Sequence, residues 1–470
     1  MGPAIHWFRR DLRVLDNTAL LRASMAHDAV VPCYLLSSWK EKHAWTGPKR
    51  QHFLCGCLRS LDANLRTLGG RLILRTGGPI ERLRELVEET GATAIHFNRD
   101  PDPHGKEVER RLAEKCAEWG IECHGWHDVT LHTPQQVLTK AGEPYRVYTP
   151  YSNNWLSLDK DPPLPRPKDL GTPRNLRSED LPDVSHWGLP EPDARLVEPG
   201  ERAALDRLKT AVDERLARYA ERRDSPSVAG TSRLSQDLRF GLLSVRTIFR
   251  RVEEARKATR SPDTRQGLDT FVKELAWREF YMAILHHFPN VLEEEFNPDW
   301  RDLPWDEPGE KFEAWKEGRT GFPIVDAGMR ELLNTGFMHN RVRMITAMFL
   351  TKDLHLDWRL GESFFMQHLL DGEIASNNGG WQWSAGTGAD AAPYFRIQNP
   401  WSQSKRHDPK GDYIRHWVPE LADVPANALH EAPENGRPIA DDYPLPCLDH
   451  KAERERTLAI FKKHRSESGR

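Results

Sequence analysis

The chain has 470 residues, 38% of them hydrophobic and 29% charged, and a formal net charge of −3. This length and composition exclude a disordered chain and predict two or three domains with real cores. The near-neutral charge excludes a whole-molecule field that draws in nucleic acid, so a nucleic-acid partner needs a local basic patch. The six cysteines, Cys33, Cys55, Cys57, Cys116, Cys123 and Cys447, form no C-x-x-C pair. They read as reduced thiols, and no metal is expected. The opening MGPAIHWFRRDLR lacks an apolar signal core, and no apolar run is long enough to span a bilayer. A cytoplasmic monomer without membrane attachment is therefore expected.

Residues 1–128 alternate short apolar runs with helical patterns. The predicted strands are AIHWF (4–8), VVPCYLL (30–36), RLILR (71–75), AIHFN (94–98) and IECHGW (121–126). RQHFLCGCLRSLDANLRTL (50–68) reads as a helix, and another begins at Pro79, where a missing N–H costs little. Such alternation predicts a doubly wound parallel α/β sheet with helices on both faces. Ligands of such sheets bind beyond the carboxyl ends of the strands. No G-x-G-x-x-G follows the first strand and no Walker sequence occurs, which argues against ordinary dinucleotide and P-loop sites. Residues 129–200 hold twelve prolines between Pro134 and Pro199, which predicts a connector without long helices or central strands, draped over the surface.

From residue 201 to 470 the pattern is helical throughout, as in RAALDRLKTAVDERLARYAERR (202–223), GLDTFVKELAWREFYMAILHHF (267–288) and FPIVDAGMRELLNTG (322–336). The predicted organisation is therefore an α/β domain (1–128), a connector (129–200) and an all-α domain (201–470). Nine of the 16 tryptophans follow residue 276. Core packing explains large rings in general, but indoles also stack on bases and carry electrons.

Four stretches carry chemistry. Thr231, Ser232, Arg233, Leu234 and Ser235 lie before a helical run; hydroxyls, amide N–H groups and a guanidinium there suit a phosphate cradle, and equally simple N-capping by Ser232 or Ser235. Glu274, Trp277, Arg278 and Tyr281 share one helix face, as a surface ion pair beside a core ring or as a polar pocket with a stacking wall. In MHNRVRM (338–344), Asn340 and Met344 point the same way and Arg341 and Arg343 elsewhere; an asparagine in mid-helix is a poor helix former. In DGEIASNNGGWQWSAG (371–386), Asp371, Glu373 and Asn377 can address a heterocycle, and Gly379 and Gly380 permit close backbone approach. Asp371 and Glu373 at i, i+2 do not face each other, which argues against a paired acid–base site.

WFRRDLRVLDNTAL, TSRLS, ELAWREFY, TGFMHNRVRM and DGEIASNNGGWQWSAGTGADAAPYFRIQNP, in this order, resemble the photolyase/cryptochrome flavoproteins over nearly the whole chain. The likeness is strongest to bacterial photolyases that repair cyclobutane pyrimidine dimers. It implies a bent FAD in the helical domain, with Thr231–Ser235 on its phosphates and Tyr219 nearby. It further implies Asn377 against the central-ring nitrogen, Arg343 paired with Asp371 beside the ring system, and Glu373 among the cofactor contacts. Trp381, Trp358 and Trp305 match the family's electron relay. Trp277 and Trp383 match rings that wall the lesion pocket. Glu274 and Asn340 match groups that hydrogen-bond the pyrimidines, with Met344 packed beside them. Arg223, Arg278, Arg341 and Arg396 are candidates for the flanking phosphates of ultraviolet-damaged DNA. The implied reaction is transfer of one electron from light-excited reduced FAD to a flipped-out dimer, which then splits, making the chain a carbon–carbon lyase.

The alternative within the family is a cryptochrome-type photoreceptor without repair activity. Glu274, Asn340 and Met344, Trp383 after Trp381, and the end of the chain at Arg470 without a long tail favour repair. A plain nucleotide-binding enzyme of the amino-terminal fold, free of flavin, is a further class. A photolyase for (6-4) lesions is expected to carry histidines where Asn340 and Met344 stand; His339 is out of register. Phe337 and Glu373 depart from the family's usual Trp and Asp. FNRDPDPHGKE, with Asp100 and Asp102, together with His43 and WTGPKR, resembles the deazaflavin-binding members of the family, a likeness that implies a second, antenna chromophore and favours 8-hydroxy-deazaflavin over methenyltetrahydrofolate or FMN.

Overall fold

The protein is described by a computed structural model covering residues 2–434 and 436–467. The chain divides into two compact units. One comprises Met1–Pro192, Val197–Ala217 and Ser232–Pro289; the other comprises Asp193–Leu196, Arg218–Thr231 and Asn290–Arg470.

In the first unit the apolar runs form β1 (Ala4–Phe8), β2 (Val30–Leu36), β3 (Ile73–Thr76), β4 (Ala94–Asn98) and β5 (Glu122–Trp126). All pair parallel, in the order β3-β2-β1-β4-β5. Central β1 is buried along its length, and Ile5 stands opposite Val31 on one side and Ile95 on the other. Near-continuous apolar strands are what a sheet covered on both faces requires. Helices Thr18–Ala26, Pro48–Arg66, Pro79–Thr90 and Pro103–Trp119 join the strands. The last three begin on proline, where the first-turn N–H has no partner to lose. Ile5, Trp7, Val31, Ile95 and Phe97 pack with Leu83, Leu86 and Leu112 into one core.

The same unit holds helices Val245–Ala258 and Pro262–His287. The Pro-rich stretch carries a ten-residue helix, Tyr148–Ser157, and fully buried Trp155 and Trp187, so it is packed more tightly than a surface drape. Buried Glu279 holds it down: the carboxylate accepts from Leu131 N (2.5 Å), His132 N (3.2 Å) and Trp155 Nε1 (2.7 Å). The helical pattern over 202–223 is realised as Glu201–Thr210, a widened turn at Ala211–Arg215 and short pieces beyond. Gly267 of the long helix lies against the backbone there; a Cβ on it would stand 2.4 Å from Leu216 O. That close approach selects the break.

The second unit is helical. Its core joins Phe322, Ile324, Val325 and Met329 of helix Pro323–Thr335 to Val342 and Ile345 of helix Asn340–Met348, and to Trp358 and Phe365 of helix Trp358–His368. Trp381 and Ala385 of helix Ile374–Ala385 complete it. Among the described residues, no helix is long and apolar enough to cross a membrane.

Candidate functional site

The motif NNGGWQW lies on helix Ile374–Ala385, and the helix sorts its residues by face. Asn378 is buried and donates to Val291 O (3.0 Å) and Glu362 Oε1 (3.0 Å). Gln382 donates to Val291 O (2.8 Å) and accepts from Phe296 N (2.8 Å). These two amides fasten the helix to its neighbours. Asn377 is half-buried, and its Nδ2 donates to Glu362 O (3.1 Å). That bond orients the amide, and among the described residues its oxygen accepts none, which leaves an acceptor for a ligand N–H. A Cβ built on Gly380 meets nothing within 4 Å, so glycine keeps space open there. Glu373 caps the helix, accepting from Ser376 N (2.9 Å), a local task that its expected cofactor role did not include.

Glu362, 2% exposed, joins the helices on which Asn377 and Trp358 stand. Burial pushes its carboxyl up to about 8, against the lowering effect of the Asn378 bond, so it is neutral at pH 7.

Arg343 donates to Asp371 Oδ2 (2.9 Å) and Oδ1 (3.1 Å), forming the expected pair, and to Met338 O (2.7 Å). Its guanidinium also lies over Phe337, 5.3 Å from the ring centroid, so the unusual Phe still supplies an aromatic face. Asn340 is the first residue of its helix and exposed, not mid-helix as its spacing suggested. His339 is the cap, accepting from Arg341 N (3.2 Å). Met344, one turn on, is half-buried, as is Trp383.

The three tryptophans expected to form a relay differ in exposure. Trp381 is 2% exposed and Trp358 fully buried, while Trp305 packs partly buried against the same core. Trp381 lies on Gly361, where a Cβ would stand 2.0 Å from the indole, one turn along the helix that Trp358 begins. Asp306, next to Trp305, donates its N–H to His355 O (2.8 Å), three residues before Trp358. Gly361 escaped the sequence reading because its partner, Trp381, is twenty residues away in no recognisable spacing.

In the first unit, the stripe on helix Pro262–His287 is half-buried: Glu274, Trp277, Arg278 and Tyr281. Trp277 stacks on Tyr148 at 3.6 Å and 8° and meets Phe280 edge-on at 5.7 Å. One indole face is thus held by the Pro-rich segment, whose Tyr148 gave no sequence signal. The OH of Tyr148 donates to Lys273 O (2.7 Å), locking that ring. Arg278 donates to Val129 O (2.9 Å).

At TSRLS, helix Ser235–Phe240 begins with no side-chain cap hydrogen bond, and Leu234 stands at the cap. Capping by Ser232 or Ser235 therefore does not account for the hydroxyls. Arg233 has φ +59, an uncommon value away from glycine that turns the loop sharply. Tyr219 is 8% exposed and opens helix Tyr219–Arg222. Of the four arginines expected at DNA phosphates, Arg341 pairs with Asp224 Oδ1 (2.8 Å), Arg223 is half-buried and Arg396 is exposed. The oriented Asn377 oxygen and the open helix surface at Gly380, both in the second unit, fit a flavin ring.

At the carboxyl ends of β1 and β4, where the strand order reverses, Arg10 bonds Asp100 (3.2 Å) and Arg9 pairs with Asp100 (3.5 Å) and Glu109. Asp102 caps helix Pro103–Trp119, accepting from Gly105 N (2.7 Å). Burial and the neighbouring Asp100 raise its carboxyl to about 6. His43 is exposed, with its ring 5.1 Å from Trp39.

Residues 4–168 match the DNA photolyase family, and residues 271–463 match the FAD binding domain of DNA photolyase. A deoxyribodipyrimidine photo-lyase from Synechococcus is 38% identical, the likeness covering 98% of this chain and 96% of that one. The crystal structure of a bacterial class III photolyase from Agrobacterium tumefaciens superposes with a TM-score of 0.91 at 37% identity, covering 99% and 98% of the two chains. A Synechocystis cryptochrome follows with 0.89 at 32%, covering 98% and 99%. The chain belongs to the DNA photolyase family and carries that family's FAD-binding domain.

Proposed function

We propose that this chain is a deoxyribodipyrimidine photo-lyase that repairs cyclobutane pyrimidine dimers in ultraviolet-damaged DNA under blue light. The chain-long likeness to curated photo-lyases carries the reading. A cryptochrome shares the fold, but that likeness carries no repair-specific or signalling-specific residue. Reduced FAD, when bound and illuminated, supplies the single electron that splits the cyclobutane ring.

The chain's own residues bind, orient and screen. Thr231–Ser235 hold the cofactor's phosphates, with Tyr219 nearby. Asn377 offers its fixed carbonyl oxygen to the flavin ring, and the Arg343–Asp371 pair lies beside it. Photolyases are among the enzymes that take their target base out of the helix. Trp277, backed by Tyr148, presents its other face to the extruded dimer, and Trp383 is the second wall. Asn340 and Glu274 hydrogen-bond the pyrimidine carbonyls, where negative charge grows. Met344 packs beside them. Arg223, Arg278, Arg341 and Arg396 meet the flanking phosphates; Arg341 then exchanges Asp224 for phosphate. Trp381, Trp358 and Trp305 return an oxidised cofactor to its active state. The division at residues 128 and 200, a cytoplasmic monomer, and 8-hydroxy-deazaflavin as antenna belong to the same proposal. The antenna is identified by the absorption spectrum of the extracted chromophores.

Dark binding tests the substrate class. An oligonucleotide with one cyclobutane dimer should bind at least tenfold more tightly than its undamaged twin. Equal affinities contradict the proposal.

A further inference from the structure

The two buried relay indoles have unlike surroundings. Trp381 sits among rings: Phe365 at 4.9 Å and Trp315 at 6.2 Å, both edge-on. No hydrogen bond reaches its indole nitrogen among the described residues. Trp358 instead donates its N–H to Glu295 Oε1 at 3.1 Å. Arg359 bonds Glu295 Oε1 (3.1 Å) and Asp357 Oδ1 (3.1 Å), and its guanidinium lies over the Trp358 ring, 4.4 Å from the centroid.

We propose that Glu295 is a positioning residue for electron transfer: its carboxylate makes Trp358 easier to oxidise than Trp381 and draws the electron vacancy outward. The inference rests on the relay reading above. Oxidised Trp381 takes an electron from Trp358 and returns to its closed shell. Trp358 becomes a radical cation and keeps its N–H proton. Trp305 refills Trp358, and an external thiol reductant refills Trp305. No covalent bond forms or breaks along the chain of indoles.

Two effects favour the cation at Trp358. Its N–H becomes a charged donor to a charged acceptor, and such bonds are about twice as strong as neutral ones. The carboxylate is also an opposite charge at short range. Arg359 opposes this, but unequally. The Glu295 side chain is 6% exposed and that of Arg359 32%, so solvent screens the guanidinium more. Arg359 is shared with Asp357 as well, leaving one net negative charge among the three groups. Its part is to hold the Glu295 carboxylate aimed at the indole.

The test uses the full-length holoprotein with oxidised FAD and transient absorption after a laser flash. Glu295→Gln keeps the shape and an acceptor oxygen but removes the charge. The ratio of oxidised Trp358 to oxidised Trp381 should fall about tenfold, which is about 59 mV for a one-electron couple, and Glu295→Asp should restore part of it. An unchanged ratio in Glu295→Gln overturns the proposal. Ultraviolet resonance Raman difference spectra between the parent and Trp358→Phe read the bond without any carboxylate variant. A strongly hydrogen-bonded indole N–H supports the proposal, and a free one overturns it. Photoreduction that survives Trp358→Phe overturns the relay reading itself, a result distinct from failure at Glu295.

Discussion

Replacing Glu362 by Gln should make the protein more stable at neutral pH, and the gain should grow with pH. Glu362 is a buried carboxyl whose protonated form is favoured up to about pH 8 in the folded state. Unfolded, it ionises near 4.3. A group whose folded value is raised contributes stability that is fully present below the unfolded value and lost as pH rises through the folded one. At 1.36 kcal/mol per unit, the loss by pH 7 is about 3.5 kcal/mol. Glutamine stays neutral, keeps an oxygen for Asn378 Nδ2 and leaves the Glu362 backbone oxygen that orients Asn377. Urea unfolding of parent and variant across about pH 5 to 8 measures the difference. It should widen by about 1.4 kcal/mol per unit of pH. A difference independent of pH means that the buried group is already ionised, and refutes the reasoning.

Trp305→Phe should lower photoreduction of oxidised FAD more than tenfold, while chemically reduced protein still splits dimers; loss of both contradicts its place in the relay. Glu274→Ala should cut repair per photon several-fold, as removal of a hydrogen bond to developing charge does, and an unchanged quantum yield removes Glu274 from the site. Asp128 accepts from Arg246 Nη2 (2.7 Å) and from Arg13 in a buried network. Burial alone raises its carboxyl, but the two guanidiniums outweigh it and hold it low. Its contribution is therefore present above about pH 4 and lost as pH falls further. Asp128→Asn should cost about 3–5 kcal/mol at pH 7, because it leaves buried cations uncompensated; acid unfolding of parent and variant that coincides at every pH contradicts this.

The sheet was legible because each strand is a short apolar run bounded by turn residues, and β1, β2 and β4 occupy the predicted ranges. The Arg343–Asp371 pair was legible only through resemblance: its partners are twenty-eight residues apart, and no periodicity joins them. The local role of Asn340 was misread because His339, usually no cap, takes the capping position. Asn377 and Asn378 are adjacent and chemically identical. Only the helix turn decides that one faces Val291 and Glu362 and the other offers its oxygen outward. Tyr148 behind Trp277, Glu279 under the Pro-rich segment and Glu295 on Trp358 are long-range contacts. They follow from packing, which a single sequence does not display.

The central claim is tested most directly by illumination. Reduced, FAD-loaded protein is mixed with oligonucleotides bearing a cyclobutane thymine dimer, and one half is kept dark while the other receives blue light. The account predicts dimers restored to thymines in the lit sample alone, with many turnovers per protein. Equal restoration in the dark, or none under light with FAD fully bound and reduced, contradicts it.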